Sequence, residues 1–122
     1  MLVEDDHRSL AISDFSMFDK AGFDVAVCSG PGGSPRDCPL LRGQECAAVA
    51  GADAVLHGLD PELGIAAAIR RRHPDVVVVV EQQRRADGSL PMVPDGCVPL
   101  VYPCSVNGQV DALRRALASR RA

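Results

Sequence analysis

Met1-Leu2-Val3-Glu4-Asp5-Asp6 is a short apolar run that ends abruptly in three acids. A continuous apolar run reads as a parallel strand buried on both faces, and in open α/β sheets sites gather beyond the carboxyl ends of such strands. Glu4, Asp5 and Asp6 are therefore expected to crown a central strand. Acids crowded at a strand end repel one another unless a cation lies among them, which points to a divalent-metal site. The alternative is that Asp5 or Asp6 caps the helix that follows.

Working outward, Ala11, Phe15 and Phe18 recur at i, i+4 and i+7 between His7 and Lys20, with Leu10 and Met17 beside them, as one stripe of a helix. Ala21-Gly22 stops it, and Phe23 to Cys28 reads as a second strand, completing a βαβ unit. Residues 29–43, SGPGGSPRDCPLLRG, hold three Pro and four Gly and read as a loop. Gln44 to Ala50 reads as a short helix and Ala52 to His57 as a buried strand. Asp60-Pro61-Glu62 supplies an N-cap, a proline at the first helical position and an acid in the first turn, so a helix is expected to start there, with Leu63, Ile65, Ala66 and Ile69 on its apolar face. His73-Pro74 ends it. Asp75 to Val80, with five valines in succession, is the clearest buried parallel strand.

From Glu81 to Gly96 the pattern fails, because Gly88, Pro91, Pro94 and Gly96 interrupt any helix. Val98 to Tyr102 reads as a fifth strand, at the sheet edge because it contains Pro99. Ser105 to Ala118 is a last helix. Alternating strands and helices with right-handed crossovers give a five-stranded, parallel, doubly wound α/β sheet, expected as one domain over 1–122.

Composition bounds the function. With 47% hydrophobic and 24% charged residues the chain is that of a globular protein. A net charge of −3 and 3% aromatics, without Trp, argue against nucleic-acid binding. No run reaches the length of a membrane span, and the acidic start is unlike a signal peptide, so a cytoplasmic location is expected. Five cysteines, an odd number, do not suggest a disulfide framework.

Taken together, these residues resemble a response-regulator receiver domain. Asp5-Asp6 matches the family's metal-binding acids, and Gly22-Phe23-Asp24-Val25 follows the first helix at the family's spacing. ADAVLH resembles its third strand, RRRHPDVVVVV its helix-to-fourth-strand segment, and LVYP its fifth strand with the proline after it. The resemblance implies strand order 2-1-3-4-5, a Mg²⁺ ion at Asp5 and Asp6, and a phosphoryl acceptor at the end of the third strand. That end reads His57-Gly58, with no carboxylate. Asp60 is close in sequence, but its Asp-Pro-Glu context makes it a helix cap rather than a displaced acceptor. The family's Thr or Ser after the fourth strand falls on Glu81 or Gln82, and its Lys before the proline falls on Tyr102. Since the nucleophile, the neutralising cation and the orienting hydroxyl are the working parts of phosphoryl transfer, phosphorylation by the family mechanism is not expected. The fourth helix is degenerate, the loop after the third strand is shortened, and first-strand residues are expected to be missing because Met1 stands almost at the acids.

The loop after the second strand is expanded relative to such a domain and carries Cys38, with Cys28 and Cys46 flanking it. Three thiolates with His57 or Asp37 as a fourth ligand form a candidate Zn²⁺ site. The spacings of nine and seven residues lack a tight knuckle, so three separately buried thiols or a Cys38–Cys46 redox pair are the alternatives. The reading is thus a non-enzymatic, phosphorylation-independent signalling domain that acts by binding another signalling protein or a second copy of itself. The alternative is a metal- or redox-responsive sensor built on Cys28, Cys38 and Cys46.

Overall fold

The computed structural model describes residues 1–121; Ala122, the last residue of the expected domain, lies outside the described residues. In chain order the elements are β1 (Leu2–Glu4), α1 (Arg8–Lys20), β2 (Ala26–Cys28), α2 (Ala47–Ala50), β3 (Ala54–His57), α3 (Ile65–Arg72), β4 (Val77–Gln83), β5 (Val98–Tyr102) and α4 (Val106–Arg121). The strands form one parallel sheet in the order β2-β1-β3-β4-β5. Successive strand side chains point to opposite faces, and each face carries its own apolar layer. Leu2, Val55, Val78 and Val80 pack with Leu40, Val49, Ile65 and Ile69 beneath α2 and α3. Val3, Leu56 and Val79 pack with Phe18 of α1 and Val110 and Leu113 of α4. Edge-to-face contact of Phe18 with Phe23, ring centroids 5.7 Å apart, closes the second layer.

Four local expectations differ from the structure. Strand β2 is only three residues long and lies at the sheet edge, where little of it is covered. Strand β4 does not end at Val80: Glu81, Gln82 and Gln83 continue it, paired with Leu100, Val101 and Tyr102. Backbone pairing extends the strand past the apolar layer, so polar side chains are carried by regular structure. The cap at Asp60 is real, its Oδ1 accepting the Glu62 N–H at 3.0 Å, but it caps a single 3-10 turn, Pro61–Leu63. Gly64, at φ 75°, then turns the chain left-handed before α3 begins. Finally, only Ala11 and Phe18 of the expected α1 stripe are buried; Phe15 stays 43% exposed.

Residues 84–97, between β4 and β5, are turns and extended chain without a helix. The long loop after β2 contains two 3-10 turns, Pro35–Asp37 and Pro39–Arg42. Ser34 Oγ accepts the Arg36 N–H at 3.3 Å, and Asp37 Oδ2 accepts the Ser34 N–H at 3.2 Å. Leu40 inserts into the core beside α3, anchoring the loop without a covalent tie.

Phe18→Ala is expected to destabilise the fold by about 3–5 kcal/mol, since the ring is fully buried. Met92→Ala, at a side chain 91% exposed, is expected to stay within about 0.5 kcal/mol in the same chemical denaturation series.

Candidate functional site

The carboxyl ends of β1 and β3 meet in a buried polar pair. Register places Glu4 beside His57, on the same face as Leu2 and Val55. His57 Nδ1 and Glu4 Oε1 are hydrogen-bonded at 2.7 Å, with the two residues only 2% and 3% exposed. Burying either group alone would leave an unmet polar atom in the core, whereas together each satisfies the other. His57 thus occupies the strand end where the resemblance places a phosphoryl acceptor, with its Nδ1 sealed against Glu4.

Around this pair the other expected residues are dispersed in role. Asp5 is buried, and its Oδ1 accepts the His7 N–H at 2.8 Å, which spends that oxygen on the turn before α1. The N-cap of α1 is His7, without a side-chain cap bond, so neither Asp5 nor Asp6 caps the helix. Asp6 is exposed and opens on a cavity of about 370 Å³ shared with Asp60, Glu62, Glu81 and Arg85. Gly58 has a steric reason: a Cβ there would stand 3.2 Å from Glu81 Oε2, 3.3 Å from the Glu4 carbonyl and 3.5 Å from Asp5 Oδ2. Tyr102, at the position of the family lysine, pairs with Gln83 in the sheet and brings no cation to these acids.

Among the described residues no group of three or more His, Cys, Asp or Glu side chains is arranged to hold a metal ion. Mg²⁺ requires near-octahedral oxygen ligands. With the third carboxylate replaced by His57 and one oxygen of Asp5 already bonded, the acidic pair does not fit a resident divalent ion.

The cysteines do not form the expected ligand set either. Cys28 ends β2, Cys38 lies between the two 3-10 turns and Cys46 precedes α2; all three are half-buried against the core layer of α2 and α3, and all five thiols are free. The fourth ligands considered for them are committed elsewhere, His57 to Glu4 and Asp37 to the Ser34 N–H. Burial also pushes the Cys28 thiol up from its ordinary value, which disfavours the metal-binding thiolate.

Two further acids dominate the electrostatics, Asp14 of α1 and Glu81, one of the two residues at the position of the family's Thr or Ser. Burial, then the charge of Asp5, pushes the Asp14 carboxyl up to about 6. Burial, then the charges of Asp14 and Asp5, pushes Glu81 up to about 7. Both line a cavity of about 170 Å³ between α1, α4 and the ends of β4 and β5. The signal for Asp14 was its spacing, since Leu10, Asp14 and Met17 share one helix face at i, i+4 and i+7. A larger, apolar cleft of about 560 Å³ lies on the other side of α1, lined by Ile12, Phe15 and Val27 and rimmed by Asp5, Asp6 and Arg8.

No family model matches this sequence, and no curated protein does. Solved structures do. A response regulator receiver domain protein from Clostridium thermocellum is 16% identical with a TM-score of 0.71, the match covering 98% of this chain and 94% of that one. A response regulator receiver protein from Sinorhizobium medicae is 22% identical with a TM-score of 0.66, over 98% and 94% of the two chains. NtrX from Brucella abortus is 15% identical with a TM-score of 0.70, but this chain spans only 27% of its length. At such identities the likeness is one of architecture: the chain has the fold of response-regulator receiver domains.

The raised carboxyls set a pH dependence. A group whose folded pKa lies above its unfolded value contributes stability at low pH and loses it as pH rises through the folded value. From the ordinary values of 3.8 and 4.5 up to about 6 for Asp14 and about 7 for Glu81, stability is therefore expected to fall with rising pH. Glu81→Gln should flatten that slope and stabilise the protein at pH 8 by about 1–2 kcal/mol, allowing for partial solvent screening. Urea denaturation at pH 4.5 and pH 8 checks it; an unchanged slope would contradict the assignment.

Proposed function

We propose that this chain is an atypical receiver-type signal-transduction domain that works by binding another signalling protein or a second copy of itself, without phosphorylation by the receiver mechanism. The observation that carries the reading is His57: the strand end that would present a carboxylate nucleophile presents an imidazole held 2.7 Å from Glu4 and shielded from solvent. Phosphoryl transfer also needs cationic neutralisation of the transferred group. Tyr102 supplies no charge and the acidic pair does not fit Mg²⁺. The domain is read as non-enzymatic for the same reason.

Support for a protein partner comes from apolar side chains left in water. Ile12, Phe15 and Val27 are 61%, 43% and 43% exposed around the large cleft. Val101 on β5 and Val106 at the start of α4 are 41% and 49% exposed. Exposed apolar side chains gathered around one cleft, as Ile12, Phe15 and Val27 are, mark an interaction site. Five free thiols suit the reducing cytoplasm, where this domain is placed in our reading.

After incubation with a small phosphodonor and Mg²⁺, the intact mass is expected to be unchanged. A stable phosphoryl adduct would contradict the proposal, and its loss in Asp60→Asn would make Asp60 a displaced acceptor.

A further inference from the structure

Three carboxylates converge on the cavity between α1 and α4 without a cation. Asp5 directly follows β1, Asp14 comes from the inner side of α1, and Glu81 extends from β4. Among the described residues the one ion pair is Glu4 with His57, so none of the three carboxylates is paired with a described cation. Opposite them stands Gln109 of α4, which is 5% exposed and makes no side-chain hydrogen bond among the described residues. Its amide is not sealed in the core, since among the described residues the one buried side-chain nitrogen or oxygen without a partner is Arg70 Nε; it opens on the cavity with bonding capacity left for a ligand. The remaining wall is apolar, formed in part by Leu10 and Met17.

This combination specifies a ligand chemistry. A divalent metal ion wants several oxygens at about 2.0–2.6 Å, and no such grouping exists among the described residues. An ammonium group is larger, donates three hydrogen bonds and accepts scattered acceptors, while the methylene stem that carries it packs on apolar surface. We propose that the cavity receives a primary alkylammonium group, its head among Asp5, Asp14, Glu81 and the Gln109 carbonyl and its stem against Leu10 and Met17. The source is either a free amine or the lysine side chain of a protein. The site goes beyond the interaction reading above, because it requires no protein partner and stands or falls without one.

The test titrates the full ¹⁵N-labelled chain at pH 8 and constant ionic strength with n-butylammonium chloride, with tetramethylammonium as a control of equal charge and no N–H donor. Saturable shifts are expected at the Gln109 side-chain amide and at the backbone of Asp14 and Glu81, with tetramethylammonium silent. Glu81→Gln should weaken binding about fivefold to tenfold through loss of a charge-assisted bond, and Gln109→Leu, which alters no charge, about twofold to fivefold. Folding of each variant is confirmed by its retained spectral dispersion. A second arm uses a blocked Gly-Lys-Gly peptide and its acetyl-lysine counterpart. Tighter binding of the lysine peptide than of n-butylammonium assigns the ligand to a protein side chain, and the reverse order assigns it to a free amine. Linear shifts shared with tetramethylammonium, affinity unchanged in both variants, or saturation by Mg²⁺ but not by the amine would each overturn the proposal.

Discussion

The bond between His57 Nδ1 and Glu4 Oε1 ties the two central strands at the end where the chain leaves the sheet. Neither group could be buried alone: an unpaired charge or imidazole at that depth would cost several kcal/mol, so each residue dictates the other. The pair also fixes what surrounds it. Gly58, directly after His57, donates its N–H to the Glu4 carbonyl at 2.7 Å, and its missing side chain leaves room for Asp5 and Glu81 to approach. The acidic end of the sheet is thereby drawn together over a sealed base.

That arrangement separates two properties that an acidic strand end usually combines. The deepest carboxylate, Glu4, is partnered and structural. The outer ones, Asp5, Asp14 and Glu81, face one another without a cation, and burial plus mutual repulsion raises the last two. The result is a domain with the receiver architecture whose polar end is suited to receiving positive charge from outside the chain. Exposed apolar groups lie along α1 and β2, where the short edge strand leaves Val27 uncovered, and also on β5 and at the start of α4.

Much of the architecture could be read from the sequence because parallel strands buried on both faces announce themselves. The valine run of β4, the apolar start of β1 and the Pro99 that confines β5 to an edge gave a parallel five-stranded sheet, and the resemblance to receiver domains supplied the strand order that is observed. Less legible were features set by tertiary contact. Strand β4 continues through Glu81, Gln82 and Gln83 because β5 pairs with their backbone, which no apolar pattern records. The start of α3 was misplaced because the Asp60-Pro61 signal for a helix is also the signal for the single 3-10 turn that Gly64 terminates. The long loop carries candidate metal or redox cysteines, yet it is held by Leu40 in the core and by the bonds among Ser34, Arg36 and Asp37. Glu4 and His57 were both visible, but their pairing required the register of β1 against β3.

The most direct measurement is a double-mutant cycle on that pair, with Glu4→Gln, His57→Asn and the double variant compared by chemical denaturation at pH 7. Each single variant is expected to lose about 3–5 kcal/mol and the double variant to recover part of it, leaving a coupling of about 1–3 kcal/mol. Losses that simply add, with coupling near zero, would show that the two side chains are independent and that His57 is not held by Glu4.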